Sequence, residues 1–211
     1  MRLRRRRLRE SRLYALIDKD TLKGPASALA KKLAVSGADI IQLRDKNSPK
    51  VDILKEALSI SQALKNTRSL FIVNDYPGIA KSSGSDGVHI GQSDVSVRAA
   101  RNIVGKNRLI GVSCSDLKQA LKAQNSGADY IGVGPVFKTS LKAGCRPIGL
   151  KGIKDLNKRI SIPVFAIGNI NKDNLSKVTS CGINRIALCR ALLKTRNIPK
   201  AVKYFSARLK K

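Results

Sequence analysis

Eight short runs of β-forming residues recur along the chain: LYALI 13–17, IIQL 40–43, LFIV 70–73, GVHI 87–90, LIGV 109–112, YIGV 130–133, PVFA 163–166 and RIAL 185–188. Most are continuously apolar instead of alternating. That pattern suits strands covered on both faces, as in a parallel sheet. Between the runs lie segments with apolar residues three and four apart, such as ALAKKLAV 28–35 and DILKEALSISQAL 52–64, which read as amphipathic helices. A glycine turn into the next strand recurs at Gly37, Gly127 and Gly182. Strand–helix alternation of this kind predicts parallel βα units. Eight of them predict an α/β chain folded as a single (β/α)8 TIM barrel over residues 13–211. An open doubly wound sheet is the alternative, but its G-x-G-x-x-G fingerprint is missing and the first run leads into DKDTLKGP 18–25 instead. A last helix, IPKAVKYFSARL 198–209, carries Pro199 in its first turn and basic residues in its last.

Charge bounds the partners. The 211 residues carry a net charge of +28, and Glu10 and Glu56 are the only glutamates. A surface this basic concentrates polyanions, which fits a phosphorylated substrate and equally fits nonspecific nucleic-acid contact. Aromatic residues make up only 4% of the chain, so stacking platforms for single strands are sparse. Residues 1–12 hold seven Arg and one Glu without an apolar stretch; they read as a flexible basic arm, too short for a convincing transit peptide and not a secretory signal. No run of about 18 apolar residues suggests a membrane span. Cys114, Cys145, Cys181 and Cys189 form no C-x-x-C pair and His89 is the sole histidine, so zinc and a disulfide framework are disfavoured. The cysteines read as semi-buried residues of a reducing, cytoplasmic compartment.

The polar residues fall where a barrel puts its chemistry, after the C-terminal ends of the strands. Gln42, Arg44 and Lys46 follow the second run; Asn74 and Asp75 the third; Gln92 and Asp94 the fourth; Ser113 the fifth; Thr139 and Lys142 the sixth; Gly168 and Asn169 the seventh. Two carboxylates, Asp75 and Asp94, suit an oxygen-only Mg²⁺ site completed by substrate phosphates and water. Arg44, Lys46 and Lys142 add positive charge, Arg as a bidentate fork and Lys as a point charge. Metal plus cations suggests a pyrophosphate leaving group, whose departure builds negative charge. AIGNI 166–170 has the small residue a backbone phosphate site needs. Taken singly, Asp75 and Asp94 read as readily as helix caps, Arg44, Lys46 and Lys142 as loop charges, Ser113 as a turn residue and His89 as a core imidazole. Their joint placement after successive strands is the stronger signal.

QLRDK, IVND, DGVHIGQSD, IGVS, GADYIGVGPVFKT with Lys142 and PIGL, and IPVFAIGNI together resemble the thiamine phosphate synthase family, in order, across roughly residues 13–192. The resemblance implies a (β/α)8 barrel transferase of thiamine biosynthesis. Such an enzyme joins hydroxymethylpyrimidine pyrophosphate to thiazole phosphate with Mg²⁺ and releases pyrophosphate. It implies Gln42 at the aminopyrimidine; Arg44, Lys46, Asn74 and Lys142 at the pyrophosphate; Asp75 and Asp94 at Mg²⁺; and Ser113 hydrogen-bonded to the pyrophosphate, with Ser113 and Lys142 as the catalytic groups. Thr139, the Gly168 backbone and the main chain around Cys189 and Arg190 would hold the thiazole phosphate. Four positions depart from the family pattern: Leu141 stands for a Thr, Ser115 for a His, Asn169 for a second Gly and Arg190 for a Ser. The related thiazole tautomerase uses a His after the fifth strand, which this chain lacks. A non-catalytic, nucleic-acid-binding barrel would account for the charge but not for the carboxylate and cation set.

Overall fold

The computed structural model describes residues 2–22, 24–139 and 146–209. Eight parallel strands close into a barrel in sequence order: β1 (Leu13–Asp18), β2 (Ile40–Arg44), β3 (Leu70–Asn74), β4 (Gly87–Ile90), β5 (Leu109–Cys114), β6 (Tyr130–Val133), β7 (Val164–Ile167) and β8 (Ile186–Leu188). The seam is closed by Leu13, Tyr14 and Ala15 of β1 against Ile186, Ala187 and Leu188 of β8. The outer ring is α2 (Ala26–Val35), α3 (Lys50–Leu64), α4 (Pro77–Ser82), α5 (Val97–Val104), α6 (Leu117–Asn125), α7 (Gly149–Arg159), α8 (Leu175–Thr179), α9 (Arg190–Leu193) and α10 (Ile198–Leu209). All eight apolar runs are strands, for the reason their pattern gives. One side of each strand meets the helices and the other fills the barrel, so both must be apolar.

The helices bury one stripe each. In α3, Ile53, Ala57, Ile60 and Leu64 are buried, at spacings of four, three and four. Ser96 caps α5 by accepting from Ala99 N, and Asp116 caps α6 by accepting from Gln119 N. The inner core contains Tyr14, Ile40, Leu70, Ile72, Leu109, Tyr130, Phe165 and Ala187.

Residues 2–10 correct one expectation. The basic stretch reads from the sequence as a flexible arm, but residues 2–10 form a helix, α1 (Arg2–Glu10), whose Leu8 is buried and joins the inner core. Arg4 pairs with Asp86 at 2.6 Å and Arg5 with Asp129 at 2.9 Å, so α1 lies at the N-terminal ends of β4 and β6. Both arginines are partly exposed, and such pairs contribute on the order of 1 kcal/mol or less. Burial of Leu8 is the larger attraction, roughly 1.5–3 kcal/mol.

The same end carries a repeated device. Asp39, immediately before β2, accepts from the backbone N–H of Arg12 and Leu13; Asp86, before β4, accepts from Phe71; and Asp129, before β6, accepts from Ile110. Each carboxylate thereby ties the start of its strand to the start of the preceding one.

Candidate active site

The opposite end gathers the polar residues. Gln42 and Arg44 lie in β2, Asn74 ends β3, Ser113 sits near the end of β5, and Lys46, Asp75, Asp94, Thr139, Gly168, Cys189 and Arg190 lie in or just beyond the loops that follow the strands. Lys142 and Leu141, also expected here, lie outside the described residues.

Two groupings form. The first is acidic. Lys46 Nζ lies 3.1 Å from Asp75 Oδ2. Burial raises the Asp75 pKa above the ordinary aspartate value despite Lys46, and the adjacent Asp94 carboxylate raises it further. Asp75 itself holds φ 63°, an uncommon conformation for a non-glycine residue, and its N–H donates to His89 O at 2.8 Å. Asp94 Oδ2 accepts from Gly91 N at 2.6 Å. Neither is a helix cap: the N-cap position of α4 is Tyr76, with no side-chain cap bond, and α5 is capped by Ser96. Two neighbouring carboxylates compensated by one lysine make an oxygen-only pair able to accept a small hard cation. Among the described residues no three His, Cys, Asp or Glu side chains gather as a metal site. A cation here would therefore draw its remaining oxygens from substrate and water.

The second grouping lines a cavity of about 290 Å³ between β6, β7, β8 and β1, with Thr139, Gly168, Asn169, Cys189, Arg190, Asp18 and Arg44 in its wall. Arg190 Nη2 donates to Thr139 Oγ1 at 3.0 Å. Gly168 has φ 111°, and a Cβ there would press on Pro135 Cβ and Val136 N at 2.6 and 2.8 Å. Cys189 N-caps the short α9 by position; burial pushes its thiol up to about 11, with the Asp18 charge adding to the rise.

Arg44 sits differently from the sequence-based grouping with Lys46 and Asn74. Its guanidinium donates to Asp18 Oδ1 at 2.9 Å, beside it in the β1–β2 register, and it lines the cavity. Asp18 was not singled out from the sequence; a carboxylate closing the apolar run LYALID is the signal that could have found it.

Between the groupings, inside the barrel, Gln42 Nε2 donates to Tyr14 Oη at 2.7 Å, Tyr14 Oη meets Tyr130 Oη at 2.9 Å, Tyr130 Oη meets His89 Nδ1 at 3.2 Å, and His89 Nε2 meets Ser113 Oγ at 2.9 Å. The strand histidine is thus a hydrogen-bonded core imidazole. Gln92 Nε2 fixes the end of β5 through Ser113 O at 2.6 Å.

A family model described as thiamine monophosphate synthase matches residues 13–192, from the first strand to α9. The chain belongs to the thiamine monophosphate synthase family. A thiamine-phosphate synthase of Clostridioides difficile is 35% identical over 199 residues, 94% of this chain and 95% of the relative. One from Prochlorococcus marinus subsp. pastoris is 44% identical over 165 residues, 78% of this chain but 47% of that longer protein. Among solved structures, thiamine phosphate pyrophosphorylase from Pyrococcus furiosus superposes with a TM-score of 0.87 at 32% identity, covering 98% of this chain and 99% of its own. Family membership accounts for the closed eight-stranded barrel. Among the described residues, no helix is long and apolar enough to cross a membrane.

Proposed function

We propose that the protein is a thiamine phosphate synthase, a transferase that moves the hydroxymethylpyrimidine group from its pyrophosphate to thiazole phosphate. The observation that carries this reading is the pairing of an acidic rim site with a separate cavity roomy enough for a phosphorylated heterocycle. Lys46, Asp75 and Asp94 stand at the first; Thr139, Gly168 and Arg190 stand at the second. Asp75 and Asp94 would hold Mg²⁺, which when bound neutralises charge on the pyrophosphate.

In this reading Gln42 orients the aminopyrimidine, being buried among the core rings with one amide hydrogen already committed to Tyr14. Lys46, Asn74 and Ser113 hold the pyrophosphate oxygens, and the resemblance in sequence assigns Lys142 to the same role. The C–O bond to pyrophosphate breaks with its electrons on the leaving oxygen, and the electron-rich pyrimidine carries the resulting methylene cation. The thiazole nitrogen then forms the new C–N bond with its own lone pair. No protein nucleophile is required, and the chain's part is positioning and charge stabilisation. Thr139, Arg190, the Gly168 backbone and the main chain at Cys189 hold the thiazole phosphate. Arg190 stands where the family pattern has Ser, and its guanidinium supplies a fork for phosphate where that pattern has a hydroxyl.

The test is direct. Purified protein is mixed with the pyrimidine pyrophosphate, thiazole phosphate and Mg²⁺, and thiamine phosphate and pyrophosphate are followed by chromatography. Equimolar release of both supports the reading; turnover of a thiazole tautomer without coupling would replace it.

A further inference from the structure

The interior hydrogen bonds between Gln42 and Ser113 run head to tail. Each tyrosine has one hydroxyl hydrogen, and a neutral imidazole has one N–H, so each link in the row constrains the next. Gln42 gives Nε2–H to Tyr14 Oη. Tyr14 Oη lies 2.9 Å from Tyr130 Oη; because Gln42 offers Tyr14 only a donor, the arrangement that leaves no buried hydroxyl hydrogen idle has Tyr14 donate to Tyr130. In the same arrangement Tyr130 donates to His89 Nδ1, 3.2 Å away, which is then the acceptor nitrogen of a neutral imidazole. The imidazole hydrogen therefore sits on Nε2 and points at Ser113 Oγ, and the Ser113 hydrogen is left to point outward.

The row is built into the barrel, since Gln42, Tyr14, Tyr130 and His89 are all buried. A Cβ at Gly111 would collide with the Tyr130 ring, and one at Gly132 would meet His89 Cε1 at 3.2 Å, so two glycines in β5 and β6 clear space for the rings. Burial raises the pKa of both phenols, which keeps their hydrogens in place at neutral pH.

We infer that Gln42, Tyr14, Tyr130, His89 and Ser113 form one directional hydrogen-bond chain that holds His89 as its Nε2–H tautomer and turns the Ser113 hydroxyl outward as a donor to an anion. Tyr14 and Tyr130 are positioning residues: both are buried, and they transmit the orientation of the Gln42 amide to Ser113. The inference rests on the proposed function only for the identity of the anion, pyrophosphate. Its consequence is reciprocal coupling. A heterocycle that fixes the Gln42 amide prepares Ser113 to donate to the anion, and an anion on Ser113 fixes the Gln42 amide.

His89 is the sole histidine of the chain, so its imidazole nitrogens are the only ones in a spectrum of ¹⁵N-labelled, tag-free protein. Long-range ¹H–¹⁵N correlation should show the neutral Nε2–H tautomer, with Nδ1 as acceptor. Gln42→Glu, read at alkaline pH where the new carboxylate only accepts, should reverse every link. Tyr14 then donates to the carboxylate, Tyr130 to Tyr14, His89 Nδ1–H to Tyr130, and Ser113 to Nε2. The spectrum should switch to the Nδ1–H tautomer. Adding Tyr14→Phe to Gln42→Glu cuts the chain at unchanged net charge and should restore Nε2–H.

Calorimetry with inorganic pyrophosphate and Mg²⁺ should follow the spectra. A lost donor to a charged group weakens binding roughly 10–100-fold in Gln42→Glu, and the double variant should recover most of it. If Gln42→Glu does not fold, Tyr130→Phe keeps the shape and should move the Nδ1 resonance away from that of a hydrogen-bonded nitrogen. An Nδ1–H tautomer in the unaltered protein overturns the inference. So does a tautomer indifferent to Gln42→Glu, or an Nδ1 resonance unmoved by Tyr130→Phe. Correct tautomers without any pyrophosphate binding would instead unseat the proposed function and leave the chain standing.

Discussion

Gly168 offers a stability experiment with its own control. Gly168 and Gly37 hold nearly the same backbone angle, φ 111° and 106°, so an alanine at either is strained by its conformation. That strain is roughly 1–2 kcal/mol for an L residue in the left-handed half of the map. The surroundings differ. Nothing lies within 4 Å of a Cβ at Gly37, whereas one at Gly168 meets Pro135 Cβ at 2.6 Å and Val136 N at 2.8 Å. Those atoms are poorly free to move, because Val136 N–H donates to Ile167 O and Phe137 N–H to Gly168 O. Overpacking of this kind adds roughly 1–3 kcal/mol. Gly37→Ala should therefore cost about 1–2 kcal/mol and Gly168→Ala about 2–5 kcal/mol. At roughly 2–4 °C per kcal/mol for a chain of this size, Gly168→Ala should melt about 2–12 °C below Gly37→Ala, by far-UV circular dichroism. In the assay for thiamine phosphate, Gly168→Ala should raise the KM for thiazole phosphate and leave that for the pyrimidine substrate within about twofold. Equal melting temperatures for the two variants would refute the packing argument, and an unchanged KM would remove Gly168 from the phosphate site.

Asp75→Asn and Asp94→Asn should each lower kcat by on the order of 10²–10³, partly rescued by added Mg²⁺; wild-type kcat at limiting Mg²⁺ in both variants would sink the metal assignment. Arg190→Ser should raise the KM for thiazole phosphate, because it removes the guanidinium held 3.0 Å from Thr139, and steady-state kinetics with each substrate varied in turn will show whether the effect is confined to that side. Leu8→Ala should cost roughly 2–5 kcal/mol of unfolding free energy in urea melts, as for other fully buried leucines; a loss below about 0.5 kcal/mol would make α1 an ornament on the barrel. With its thiol pushed up to about 11, Cys189 holds roughly one thiolate in 3,000 at pH 7.5, and folded protein should alkylate there slowly, faster as pH rises toward that value, as peptide mass spectrometry can follow.

The strand order was legible because a doubly covered strand has no polar face to disguise it, and all eight apolar runs are strands. Lys46, Asp75 and Asp94 stood out for the same reason: charge directly after a buried run has few uses inside a core. Other features were hidden by the way patterns are read. Tyr14 and Tyr130 count as apolar within LYALI and YIGV, so the hydroxyls that link Gln42 to His89 leave no trace in periodicity. Leu8 is one buried residue among seven arginines, and a single position has no period. The diversion of Arg44 to Asp18 depends on the β1–β2 register, which joins residues 26 apart in sequence.

The acids at the N-terminal ends of β2, β4 and β6 share one local pattern. Each is the last residue of a Gly-x-Asp triplet: Gly37-Ala38-Asp39, Gly84-Ser85-Asp86 and Gly127-Ala128-Asp129, every glycine at positive φ. Through its side chain each binds an odd strand to the even strand after it. The fourth pair breaks the rhyme: Gly182 is followed by Ile183, Asn184 and Arg185, one residue longer and with the opposite charge in the acid's place. Arg185 is turned instead to Arg9 O, beside α1. At this end of the barrel the acid ties thus join strands in twos, and the fourth pair answers to the N-terminal helix instead of to a carboxylate.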